Sequence, residues 1–209
     1  MYSFLKFLCR IILYPINGMP KFENKQRIPE GNYILVAPHR TWFDPLYFAL
    51  AASPKEFAFI AKKELFKNPL LAYVLRHANV LSVDRENPGP SVIKEPVKIL
   101  QNTDKSLIIF PSGTRHSQAL KGGATLIAKL SKAPLLPAVY QGPLTFKCLF
   151  SRKKAVINFG DPIYLDKSIK LNEEGQKAVE QQMQDAFDKL DKEINPDFKY
   201  VDPSSKNKQ

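Results

Sequence analysis

His39 and Asp44 stand five residues apart in Ile34-Leu-Val-Ala-Pro-His-Arg-Thr-Trp-Phe-Asp-Pro-Leu-Tyr47, where an apolar run passes through a short polar stretch into a second apolar segment. An imidazole is near neutral at physiological pH. One ring nitrogen can therefore take a proton from a hydroxyl while the other donates to a carboxylate that fixes the tautomer. The intervening loop and helix start are long enough to bring the Asp44 carboxylate back under the His39 ring. Such a pair activates an external hydroxyl without a protein nucleophile. Asp44-Pro45 also has the pattern of a helix start, with Asp as cap and Pro in the first turn, and the residues alone leave both readings open.

A second constellation lies in Leu107-Ile-Ile-Phe-Pro-Ser-Gly-Thr-Arg-His116, an apolar strand pattern leading into a tight turn that carries Ser112, Gly113, Thr114 and Arg115. Glycine at position 113 lets backbone N–H groups come close to an anion. The planar guanidinium of Arg115 matches phosphate better than an ammonium would. An ordinary surface turn bearing an arginine is the plain alternative. Ser112 is not read as a hydrolase nucleophile, because the Gly-x-Ser-x-Gly elbow is absent.

The elements that must position these groups follow from periodicity. Short β-type runs at 33–37, 56–60, 79–83, 106–110, 135–140 and 155–159 alternate with helical patterns at 45–52, 69–77, 92–101 and 123–131. That alternation predicts a single α/β domain, a sheet flanked by helices, over residues 21–200. His39 then falls just past the carboxyl end of a strand, at the edge where open α/β sheets bind ligands. Pro96 is expected to kink or restart its helix. Val179, Met183, Phe187, Leu190 and Ile194 recur at the helical period, with Asn172 as a candidate cap and Pro196 beyond the end, so a long helix should dock on the sheet. Residues 201–209 have little to bury and are expected to be a disordered tail.

Residues 1–20 hold an apolar run of about 13 residues, short of the roughly 20 that span a bilayer. Lys6 and Arg10 lie inside that run rather than ahead of it, which argues against an export signal. On a helix Phe4, Leu5, Leu8, Ile11 and Ile12 share a face while Lys6 and Arg10 snorkel from the other, the pattern of an interfacial membrane helix. A helix packed on the domain core gives the same pattern. The stretch Leu144-Thr-Phe-Lys-Cys-Leu-Phe-Ser-Arg-Lys-Lys154 mixes large apolar residues with four cations, which suits an anionic interface or, equally, a core strand followed by a basic loop.

With 31 Lys and Arg against 20 Asp and Glu, the 209-residue chain carries a net charge of +11, so an anionic partner is expected. The cations are dispersed, without interleaved base-stacking aromatics, which argues against nucleic acid. Two distant cysteines and three scattered histidines offer no metal-ligand spacing, so no metal is expected and a reducing compartment is.

Taken in order, these segments resemble the 1-acyl-sn-glycerol-3-phosphate acyltransferases and their glycerolipid acyltransferase relatives. The first family motif, His-x-x-x-x-Asp, resembles His39 to Asp44; the second resembles Ala61-Lys62-Lys63-Glu64-Leu65 with Val83-Asp84-Arg85 after it. The third, Phe-Pro-Glu-Gly-Thr-Arg, resembles Phe110-Pro-Ser-Gly-Thr-Arg115, and Leu136-Pro-Ala-Val139 and Phe159-Gly-Asp-Pro162 complete a match over residues 23–162. The resemblance implies the glycerolipid acyltransferase fold, with a mixed sheet. It also implies transfer of a fatty acyl group to the 2-hydroxyl of lysophosphatidic acid at the cytoplasmic face of an anionic membrane. His39 and Asp44 would be catalytic; Lys62, Arg85, Ser112, Gly113, Thr114 and Arg115 would bind the acceptor. No cofactor is implied beyond acyl-CoA or acyl carrier protein as co-substrate. Three departures stand out: Ser112 for the usual Glu, Pro38 for a frequent Asn, and Thr41 for a frequent Ser. Ser112 makes the pocket more cationic and leaves two alternatives open, another lysophospholipid as acceptor or a non-catalytic lipid- or anion-binding protein.

Overall fold

The computed structural model describes residues 1–84, 87–113, 120, 122–151, 153–166, 169 and 171–203. In chain order the elements are helix α1 (Tyr2–Asn17), strands β1 (Lys21–Glu23) and β2 (Ile34–Val36), helix α2 (Asp44–Ala51), strand β3 (Glu56–Lys62), helix α3 (Pro69–His77) and strand β4 (Val80–Val83). They continue with helix α4 (Ser91–Asn102), strand β5 (Lys105–Ile109), helix α5 (Gly123–Ser131), strand β6 (Leu135–Gln141), helix α6 (Phe146–Leu149), strand β7 (Val156–Phe159) and helix α7 (Glu173–Ile194). The strands form one sheet in the order β1-β7-β6-β2-β5-β3-β4. All neighbours are parallel except β6 and β7, so the sheet is mixed.

The run Tyr33-Ile-Leu-Val-Ala37 is continuously apolar because β2 is covered on both faces. Tyr33, Leu35 and Ala37 enter a core with α1, α2 and α6, whereas Ile34 and Val36 enter a second core with α4, α5 and α7. The chain leaves β2 for α2 on one face, and leaves the adjacent β5 for α5 on the other. That divergence opens a crevice at the carboxyl ends of β2 and β5, the topological switch point of an open α/β sheet.

All six strand-like runs contain a strand. β1 was not legible, having only Phe22 as an apolar residue among three; it exists by pairing with β7. α7 docks as its period requires, burying Val179, Met183, Phe187 and Leu190, and the Asn172 side chain accepts from Gly175 N–H at 3.0 Å. Pro96 neither splits nor restarts α4, which runs through it. The segment after Leu144 is not a core strand: α6 is one helical turn, capped by Thr145 accepting from Cys148 N–H, and it leaves Phe146 and Phe150 exposed.

α1 does two things at once. It docks through Tyr2, Leu13 and Asn17, and Phe4 and Phe7, 62% and 58% exposed, face outward with Leu8, Ile11 and Ile12. Lys6 does not snorkel away from the core; its ammonium turns inward, donates to the Pro54 carbonyl at 3.2 Å, and is held below its ordinary pKa by burial. Asn17 anchors the far end, accepting from the Tyr47 hydroxyl at 3.0 Å and donating to the Leu149 and Lys153 carbonyls. Among the described residues no helix is long and apolar enough to cross a membrane. Of the expected tail, residues 204–209 lie outside the described residues.

Because Met183 is fully buried between α7 and the sheet, Met183→Ala should lower unfolding free energy by about 2–5 kcal/mol. The exposed Gln181→Ala should stay within about 0.5 kcal/mol. Urea denaturation of both variants checks the docking of α7.

Candidate active site

The β2 ladder ends at Val36, and Pro38, which has no N–H, cannot extend it toward β6. The chain leaves the sheet there, which gives Pro38 a local reason and carries His39 over the strand's carboxyl end. Asp44 opens α2 and is fully buried. Its carboxylate turns back over its own loop rather than forward along the helix. Oδ2 accepts from Arg40 N–H at 2.6 Å and Thr41 N–H at 2.9 Å, and lies 3.2 Å from His39 Nδ1. Asp44 therefore does not act as a helix cap: Phe43 holds that position, without a side-chain bond.

An ionised Asp44 only accepts, so Nδ1 of His39 carries the proton and Nε2 is the basic nitrogen. Among the described residues Nε2 makes no hydrogen bond, and the side chain keeps 21% of its surface open. The ring stacks on Phe110, centroids 4.2 Å apart and planes inclined by 23°. Phe110 is the first residue after β5, so the neighbouring strand supplies the platform for the histidine. Gly113 closes the turn behind it with φ +69° and an N–H bond to the Phe110 carbonyl at 2.8 Å. The glycine is required by that left-handed backbone, and its own N–H is engaged in the turn. Ser112 is buried and lines, with His39 and Arg40, a cavity of about 170 Å³ closed on its far side by α7 and Tyr200.

An imidazole oriented by a buried carboxylate at a sheet switch point is suited to taking a proton from a hydroxyl. The sequence profile of the family described as Acyltransferase matches residues 19–141, from the approach to β1 through β6. The chain is 47% identical over 194 residues to a 1-acyl-sn-glycerol-3-phosphate acyltransferase of Streptococcus pneumoniae, covering 92% of this chain and 74% of that one. A Bacillus subtilis protein of the same name is 40% identical over 167 residues, 78% of this chain and 83% of its own. The chain belongs to the 1-acyl-sn-glycerol-3-phosphate acyltransferase family. The crystal structure of the acyltransferase PlsC from Thermotoga maritima, 21% identical, superposes with a TM-score of 0.70 over 95% of this chain and 81% of that one, which shows the shared fold.

In this acyltransferase the structure brings His39, Asp44, Ser112 and Gly113 to one edge. Lys62 ends β3, exposed at the same edge but two strands from β2, about 10 Å away at the usual strand spacing. Beside it the Lys63 ammonium pairs with Asp84 and is held above its ordinary pKa by that hydrogen bond. Arg85, Thr114 and Arg115 lie outside the described residues. Thr41 supports Asp44 through its N–H. The sequence reading missed Arg40, Asp191, Phe198 and Tyr200, which gather beside His39. One signal was available: Asp191 continues the i, i+4 series Met183, Phe187, so a carboxylate occupies a core-facing position of α7.

Asp44→Ala strands two buried N–H groups and should destabilise the fold by about 1–3 kcal/mol for each. Asp44→Asn keeps an acceptor oxygen in place and should lose less. Urea midpoints of the two variants against wild type measure the difference.

Proposed function

We propose that this acyltransferase moves a fatty acyl group from an acyl thioester to the 2-hydroxyl of lysophosphatidic acid, forming phosphatidic acid. Nε2 of His39 takes the hydroxyl proton as the oxygen bonds to the thioester carbonyl carbon. The tetrahedral intermediate then collapses, the C–S bond breaks, and the imidazolium returns its proton to the departing thiolate. Asp44 holds the tautomer and stabilises the imidazolium that forms. The observation that carries this reading is the His39–Asp44 contact of 3.2 Å, with the carboxylate fully buried and fixed by two N–H groups. The names of the Streptococcus and Bacillus relatives support the acceptor and the reaction.

Lys62, with Arg85 and Arg115, would receive the acceptor phosphate, and acyl-CoA or acyl carrier protein would deliver the acyl group. Ser112, where the family usually carries Glu, favours one variation, a different lysophospholipid head group. Transfer of labelled acyl groups to lysophosphatidic acid in detergent micelles tests these assignments. Wild type should form product and His39→Ala should lose about a hundredfold or more. An inactive wild type beside an active Ser112→Glu would assign the natural acceptor to another head group, and inactivity of all three would leave a binding protein.

The same reading places the chain on a membrane surface. The outward face of α1, with Phe4, Phe7, Ile11 and Ile12, supplies apolar area, and the net charge of +11 suits anionic lipid. Burying one phenylalanine contributes about 1.5–3 kcal/mol, so Phe4→Ser with Phe7→Ser should weaken co-sedimentation with phosphatidylglycerol vesicles by at least about tenfold. Unchanged binding would remove α1 from the contact.

A further inference from the structure

The Arg40 side chain ties the loop carrying His39 to the opposite layer of the molecule. Arg40 is 7% exposed, and its guanidinium donates to the Tyr140 carbonyl at 2.8 Å, to Asp191 Oδ1 at 2.9 Å and, through its other terminal nitrogen, to Asp191 Oδ2. Gln141 Nε2 steadies the carboxylate, donating to Asp191 Oδ1 at 3.0 Å and to the Asp191 carbonyl at 2.9 Å. Beyond α7 the chain turns back, and the rings of Phe198 and Tyr200 lie 4.8 and 5.6 Å from the guanidinium carbon. The Tyr200 hydroxyl also donates to the Arg40 carbonyl at 3.4 Å.

We propose that Arg40 is a positioning residue for acyl transfer, clamped by Asp191 and the Phe198–Tyr200 segment so that the His39–Asp44 pair stays in register. The proposal rests on the acyl-transfer reading above. Three observations lead to it. Arg40 N–H makes the 2.6 Å bond to Asp44 Oδ2, so any rotation of that peptide disturbs the oxygen that orients His39. The two ends of the residue are pinned in different layers, since Asp44 opens α2 on one face of the sheet and Asp191 belongs to α7 on the other. Finally, a buried ion pair adds little net stability compared with apolar packing, whereas a planar, two-point guanidinium–carboxylate contact fixes direction. The partners lie 151 positions apart, so this contact, with those of Phe198 and Tyr200, brings the carboxyl-terminal part of the chain to the site.

The test is steady-state acyl transfer by the full chain, wild type beside Asp191→Asn, Arg40→Lys and the double variant. Val179→Ala loosens α7 without touching the clamp. Asp191→Asn and Arg40→Lys should each lower kcat about tenfold to a hundredfold, as a misplacement of the catalytic pair would. KM for donor and acceptor should stay within about threefold, since ground-state binding is left alone. The double variant should be no worse than the worse single, because the residues act as one unit. Val179→Ala should keep the wild-type kcat, and the ¹⁵N resonances of the His39 ring should move in Asp191→Asn but not in Val179→Ala. Arg40→Lys keeps the charge and carries the comparison if Asp191→Asn does not fold. A kcat within about twofold of wild type in both single clamp variants overturns the proposal, as does an equal loss in Val179→Ala. If wild type transfers no acyl group, the underlying reading fails with it. An active wild type, an inactive His39→Ala and an undisturbed Asp191→Asn would remove the clamp alone.

Discussion

A single carboxylate oxygen organises the candidate site. Asp44 Oδ2 accepts from the backbone of Arg40 and of Thr41 and faces Nδ1 of His39, so the loop between them closes on a fully buried carboxylate. Burying a charged carboxylate is unfavourable, and the two N–H groups on Oδ2 offset part of that cost, while Oδ1 is buried without a hydrogen-bond partner among the described residues. Those two bonds make the orientation of the imidazole a property of the backbone. A histidine on this loop without Asp44 would still lie at the sheet edge, but nothing would assign its tautomer.

The sheet explains why this loop and the Phe110–Gly113 turn meet. β2 and β5 are parallel neighbours whose chains leave for opposite faces, and Phe110 crosses the gap to stack on His39. The edge therefore has two sides. Toward β3 lies the exposed cation Lys62; toward α7 lies the small cavity beside His39, lined also by Ser112 from the turn after β5. α1, α2 and α6 form the layer on the His39–Asp44 face, and Asn17 ties the three together.

Much of this was legible because the signals are local. Strands buried on both faces read as unbroken apolar runs, and α7 reads from its period and from Asn172. The His39–Asp44 contact was legible because the two residues lie only five positions apart. Features made by partners distant in sequence were not. β1 has no pattern of its own, α6 is a single turn among cations, and Arg40 finds Asp191 only once α7 is packed on the sheet. Lys6 shows the limit of the helical period, since the face shared by Phe4, Leu8, Ile11 and Ile12 is exposed while Tyr2, Leu13 and Asn17 dock and Lys6 turns inward. Asp44-Pro45 looked like a cap because the first turn of a helix accepts both residues, and only the direction of the carboxylate separates the readings.

The central claim is that the acceptor hydroxyl attacks the acyl donor directly, with His39 as base and no acyl group passing through the protein. The measurement that tests it most directly is intact-protein mass spectrometry after rapid mixing with an acyl thioester in the absence of acceptor, followed by addition of lysophosphatidic acid. Direct transfer predicts an unmodified mass throughout, with product appearing only once both substrates are present. An acyl adduct on Ser112, Cys148 or another side chain, formed as fast as turnover and discharged to the acceptor, would contradict it.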